Sequence, residues 1–138
     1  MERVSVRRPF DATPERVRQE MADLEPFMLG AGFDDVTVDD DTIVINNRVG
    51  LFDIELVLDI VEQDDAALVY EQRDGVFESM RTEYHVDADG EGTTVTATTE
   101  YTALDLAVVG QLLDSTVVDR QRRKELEAQF DWLEERLG

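Results

Sequence analysis

From Phe33 to Ala103 apolar and polar residues alternate with a period of two, and after Tyr101 the spacing becomes that of a helix and remains so to Leu137. The strands fall at Asp35 to Asp39, Thr42 to Arg48, Leu51 to Glu62, Ala66 to Arg73, Phe77 to Ala88 and Thr93 to Ala103, separated by turns rich in Asp and Gly. Such short connections imply an antiparallel meander. Between Leu51 and Glu62, Phe52, Ile54, Leu56, Leu58 and Ile60 point one way while Asp53, Glu55 and Asp59 point the other, so one face of the sheet is wet.

The flanks complete the order. Val4, Val6 and Phe10 alternate with polar neighbours over Arg3 to Phe10, a first strand. Thr13 then stands as an N-cap with Pro14 at the first helical position, where its missing N–H costs nothing. Val17, Met21 and Leu24 are the apolar positions of the helix that follows; Pro26 stops or kinks it, and a short second helix covers Pro26 to Leu29. At the other end, Leu104 to Leu137 holds one Gly and no Pro, which reads as a single helix of about 50 Å. Its apolar stripe runs through Leu106, Val109, Leu112, Leu113, Thr116 and Val117, turns polar at Asp119, Arg120 and Arg123, and resumes at Leu126, Phe130, Leu133 and Leu137.

A length of 138 residues with 42% hydrophobic content supports one domain, spanning 1–138, with one core. The 33 acidic against 13 basic residues give a formal charge of -20, which excludes nucleic acid as a partner class because a phosphate backbone is repelled. All basic residues but Lys124 are Arg. A dense carboxylate surface with almost no Lys fits a protein of a salt-accumulating halophile, since a Debye length of roughly 3 Å at 1 M removes most self-repulsion. Without cysteine there is no disulfide, thiol nucleophile or thiolate metal site. The first ten residues lack the apolar core of a secretory signal, and no stretch reaches a membrane span, so a soluble cytoplasmic protein without membrane insertion is expected.

A first strand, two short helices, antiparallel strands and a long C-terminal helix resemble the helix-grip fold. This is an α+β architecture in which a curved antiparallel sheet of six or seven strands wraps the helix. Val4-Ser5-Val6-Arg7-Arg8-Pro9-Phe10-Asp11-Ala12-Thr13-Pro14-Glu15-Arg16-Val17 is similar to the strand-to-helix opening of the polyketide cyclase/dehydrase and lipid transport superfamily (START, Bet v 1-like, SRPBCC), and Gly92-Thr93-Thr94-Val95-Thr96 to its penultimate segment. The resemblance implies a largely apolar cavity between sheet and helix for a lipid, sterol, isoprenoid or polyketide. It supplies no catalytic motif, since members include binders and enzymes. This chain is shorter than the lipid-transfer members, which points to a small cavity or one filled by side chains.

Alternation places Val76, Glu78, Met80, Thr82, Tyr84 and Val86 on the inner face of one strand and Val95, Ala97, Thr99 and Tyr101 on that of the next. Glu78 is the odd member. An inward carboxylate would act as general acid/base or orient a ligand, with Arg120, Arg123 or Arg8 as counter-ion; at an open barrel end it is merely solvated or ion-paired. Tyr70, Tyr84 and Tyr101, with Gln72, Thr82 and Thr99, can present hydrogen-bonding groups to a cavity, although a strand Tyr more often belongs to the core. The candidate ligand-binding set is completed by Phe52, Ile54, Leu56, Met80, Ala97, Val109, Leu113, Thr116, Val117 and Arg120.

His85, the only histidine, faces outward, and Asp87-Ala88-Asp89-Gly90 reads as a hairpin turn rather than a calcium loop, because Thr98 stands where the closing Glu would be. No metal or cofactor is expected. Arg120, Arg122, Arg123 and Lys124 lie among Asp119, Glu125 and Glu127, and ion pairs along the helix explain them best.

The favoured reading is binding or carriage of a small hydrophobic ligand. The alternatives are a cyclase or dehydratase-like enzyme using Glu78 with a Tyr, and a non-catalytic protein-interaction module with a filled core; a protein partner or a homodimer fits this composition as well. The halophilic reading carries a test: the denaturant midpoint should fall steadily as KCl is lowered from molar concentration toward dilute buffer, and an unchanged midpoint would remove it.

Overall fold

A computed structural model of the chain describes residues 1–49, 51–103 and 115–138. Among them the elements run β1 (Glu2–Phe10), α1 (Pro14–Met21), α2 (Leu24–Leu29), β2 (Asp35–Asp39), β3 (Thr42–Val49), β4 (Phe52–Ile60), β5 (Leu68–Asp74), β6 (Phe77–Asp89), β7 (Gly92–Ala103) and α3 (Ser115–Leu137). The strands form one antiparallel sheet in the order β1-β7-β6-β5-β4-β3-β2. Six strands are thus a plain meander, and β1 closes onto the last of them. This is the helix-grip arrangement the element order implied.

Register carries the apolar face across the sheet. Val4, Thr99, Thr82 and Tyr70 oppose one another through β1, β7, β6 and β5, and Val6, Ala97, Tyr84 and Leu68 form the next row. All eight are buried. Gly90, with φ of 64°, turns the β6–β7 hairpin in the left-handed region that glycine enters without penalty.

At the N-terminus Thr13 Oγ1 accepts from the Arg16 N–H at 3.2 Å, and Pro14 opens α1. The break between α1 and α2 departs from the sequence reading. α1 ends at Met21 with Ala22 as its cap, Leu24 begins α2, and Pro26 sits inside α2. Pro26 is tolerated because it lies in the first turn, whose N–H groups need no intrahelical acceptor.

α3 packs on the inward face, where Leu126, Phe130 and Leu133 are fully buried. Phe130 meets Phe10 edge-on at 5.8 Å. On the outer side of the seam Arg8 bonds Glu127 at 2.7 Å, Asp131 at 2.8 Å and Glu134 at 3.2 Å, and its guanidinium lies over the Phe130 ring. Arg136 ties the end of α3 to Glu20 of α1 and to Asp23. The expected helix from Leu104 is described only from Ser115; its first stretch, with Val109 and Leu113, lies outside the described residues.

Truncating Phe130 removes the ring that joins α3 to β1. Phe130→Ala should lower unfolding free energy by about 3–5 kcal/mol, read by urea titration; a loss under about 1 kcal/mol would mean that α3 is held chiefly by its ion pairs.

Candidate functional site

Between the sheet and α3 lies a cavity of about 110 Å³. Ile45 and Asn47 of β3, Ile54, Leu56 and Leu58 of β4, and Tyr70 of β5 form its sheet wall. Phe33, Val76, Phe77 and Met80 close one side, and α3 contributes Val117, Val118, Gln121, Arg122 and Glu125. The walls are mostly apolar, as small-molecule sites generally are, but the volume falls below the roughly 300 Å³ of a drug-sized site. Tyr70, Phe77, Met80 and Phe33 are the bulky side chains among the described lining residues. A larger recess, about 290 Å³, runs along residues 60–69 of a single loop and its flanks and gathers none of the sequence candidates.

Arg122 is the main polar feature of the cavity. It is 8% exposed; its Nη1 donates to Glu125 Oε1 at 2.5 Å and its Nη2 to Thr99 Oγ1 at 2.8 Å. Burial works against the Arg122 charge, but the adjoining Glu125 carboxylate, together with the nearby Tyr70 and Tyr84 phenols, holds the guanidinium above its ordinary value. Glu125 Oε2 accepts in turn from Gln121 Nε2 at 3.1 Å. Thr99 and Thr82 share a bond of 2.9 Å, and Thr82 donates to Met80 Sδ at 3.4 Å, so donors run from Arg122 through Thr99 and Thr82 to Met80.

A second run crosses beneath. Tyr84 donates to Gln129 Oε1 at 2.6 Å, and Gln129 Nε2 donates to the Phe27 carbonyl at 3.3 Å. With the single Tyr84 proton committed, the 3.4 Å contact between the two phenols is a donation from Tyr70 to Tyr84. Burial, with Tyr70 adjacent, pushes the Tyr84 phenol well above its ordinary value of 10.

The structure brings Ile54, Leu56, Tyr70, Met80 and Val117 to the cavity. Val117 reaches it while 45% exposed, at the rim. Thr82, Tyr84, Ala97, Thr99 and Tyr101 are buried on the same face but are not among the lining residues. Gln72 is turned to another task, holding the Phe77 backbone through Nε2 to its carbonyl (2.7 Å) and Oε1 from its N–H (3.3 Å). Gly75 permits this clasp, since a Cβ there would stand 2.5 Å from Gln72 Oε1. The Phe52 side chain lies outside the described residues.

Three expectations are corrected. Glu78 does not face inward but is exposed. The β6–β7 register shifts between Phe77 and Ser79, leaving Glu78 as the extra residue of a bulge, so that Phe77 takes the inward place and the carboxylate stays in water. Arg120 and Thr116 are likewise exposed rather than on the cavity wall. The helix turns Val118 and Arg122 inward instead, four residues apart and in phase with Leu126, and that spacing was the available signal for Arg122. Gln129, three beyond Leu126, was also missed; it reads as a surface residue unless the wide buried face of α3 is known.

His85 stays on the outer side, with Nδ1 3.0 Å from the Asp65 carbonyl oxygen and Nε2 3.1 Å from Glu83. Among the described residues no group of His, Cys, Asp and Glu is placed to hold a metal, and no helix is long and apolar enough to cross a membrane.

No protein-family model and no curated sequence matches the chain. Solved structures do. The aromatase/cyclase Zhui from Streptomyces sp. R1128 superposes with a TM-score of 0.78 at 14% identity, over 99% of this chain and 96% of its own. The protein TTHA0849 from Thermus thermophilus gives 0.77 at 21% identity, over 99% and 97%. A START superfamily protein from Mycobacterium smegmatis gives 0.71 at 14% identity, over 98% and 96%. The chain therefore shares its fold with these structures, the helix-grip arrangement that the element order implied.

The Tyr84 phenol gives this region a pH signature. Its proton is held more tightly in the folded chain, so its contribution to stability is fully present below pH 10 and declines above it, where the unfolded chain releases the proton first. Tyr84→Phe should make that alkaline decline shallower. It should also cost about 1–3 kcal/mol at neutral pH by leaving Gln129 Oε1 without its donor; urea unfolding on both sides of pH 10 reads both effects.

Proposed function

We propose that this chain binds a small hydrophobic molecule between its sheet and α3, as a binder or carrier rather than an enzyme, in the cytoplasm of a salt-accumulating cell. The observation that carries the proposal is the cavity of about 110 Å³ with apolar walls and a few polar groups, Tyr70, Asn47, Gln121 and the Arg122–Glu125 pair. Its size suits a single ring or the end of a longer chain, since an apolar cavity of about 150 Å³ accepts benzene. Neighbours of the same fold include one described as an aromatase/cyclase and one as a START superfamily protein, which supports a ligand in this place.

The acid/base alternative loses its support with Glu78 in solvent, and Glu125 is already committed to Arg122 and Gln121. The smallness of the cavity favours a second reading, an interaction module with a nearly filled core. Titration of the protein in molar KCl with benzene, toluene and ethylbenzene, followed by NMR, separates the two. Binding should perturb residues around Ile54, Leu58 and Met80, and Ile54→Trp, which fills the cavity, should weaken it by about tenfold or more. No perturbation by any of the three would leave the interaction module.

A further inference from the structure

We infer that the cavity selects an uncharged molecule bearing a hydrogen-bond acceptor, of which a carbonyl oxygen is the simplest, and that Arg122 Nε is the donor that receives it. The inference rests on the reading of this cavity as a ligand site. Two nitrogens of the guanidinium are engaged, Nη1 with Glu125 and Nη2 with Thr99, whereas Nε is buried and has no partner, alone among the buried side-chain atoms described. A buried donor on a charged group left without an acceptor is more costly than an ordinary hydrogen bond is worth, and folded proteins rarely retain one without a use. Arg122 lines the cavity, and although Nε has almost no accessible surface of its own there, an acceptor carried by a bound molecule reaches it with a small shift of the groups that cover it.

Charge decides what kind of acceptor. Glu125 at 2.5 Å already neutralises Arg122 and lines the same cavity. A carboxylate or phosphate entering there would place a second negative charge beside a buried one, in surroundings that screen it poorly. An oxygen without charge meets no such repulsion. Phe33, Ile54, Phe77 and Met80 provide apolar surface for the remainder of the molecule.

Three probes of matched shape test this: ethylbenzene, acetophenone and benzoate, titrated into the wild-type protein in molar KCl. Acetophenone should bind about tenfold or more tightly than ethylbenzene, benzoate should bind more weakly than acetophenone, and the Arg122 Nε–H resonance should move with acetophenone but not with ethylbenzene. Arg122→Met combined with Glu125→Leu, which removes the pair together and leaves no unpaired charge, should bind acetophenone and ethylbenzene alike. If that double variant does not fold, the wild-type affinities and the Nε–H resonance decide. Equal affinity for acetophenone and ethylbenzene, tightest binding of benzoate, or an unmoved Nε–H resonance overturns the inference while the ligand-site reading stands. Failure of all three probes to bind overturns both.

Discussion

One face of the sheet has to be taken out of water, and everything else in the fold answers that constraint. Strict register lines up Val4, Thr99, Thr82 and Tyr70, then Val6, Ala97, Tyr84 and Leu68, into rows that are buried throughout. β1 reaches the sheet through its pairing with β7, and α1 and α2 occupy the passage from β1 back to β2. α3 lays Leu126, Phe130 and Leu133 on the rows as their cover. The cavity lies where the cover changes character, with Arg122 and Glu125 following Val118 in the same helical phase.

Polar groups beneath α3 are organised by direction as well as by pairing. Donation runs from Arg122 through Thr99 and Thr82 toward Met80, and separately from Tyr70 through Tyr84 and Gln129 to the Phe27 carbonyl. Each hydroxyl spends its single proton onward, and among the hydroxyls of the two runs the one that lines the cavity is that of Tyr70, at the head of its run, with its oxygen still able to accept. The wall thus combines a mostly apolar surface with a few polar side chains, Tyr70, Asn47, Gln121 and the Arg122–Glu125 pair.

Most of this fold was legible because it is written in local terms. Period-two alternation placed the seven strands to within a residue or two at most ends, and Thr13-Pro14 marked the start of α1, since capping and proline geometry depend only on near neighbours. Glu78 was misplaced because the bulge that expels it is settled by pairing with β7, some two dozen residues along the chain, where Phe77 and Glu78 compete for one inward position. Arg122 was read among its charged neighbours as part of a segment of ion pairs along the helix. The i,i+3 pair with Glu125 does form, but inside, because the breadth of the helix face that is covered depends on the sheet rather than on the helix. Half of the candidate site was therefore visible, the strand half, while its charged half was not.

On the outer edge of the seam a single guanidinium, Arg8, serves three carboxylates spaced along one side of α3. Among the described residues of that cluster two negative charges are left over, and their compensation falls to the cations of the surrounding electrolyte. The edge along which α3 docks on β1 thus carries an excess of negative charge at exposed carboxylates. Repulsion among such groups is screened to a degree set by ionic strength, so the closeness of strand and helix at that edge is a matter of the medium as well as of the side chains.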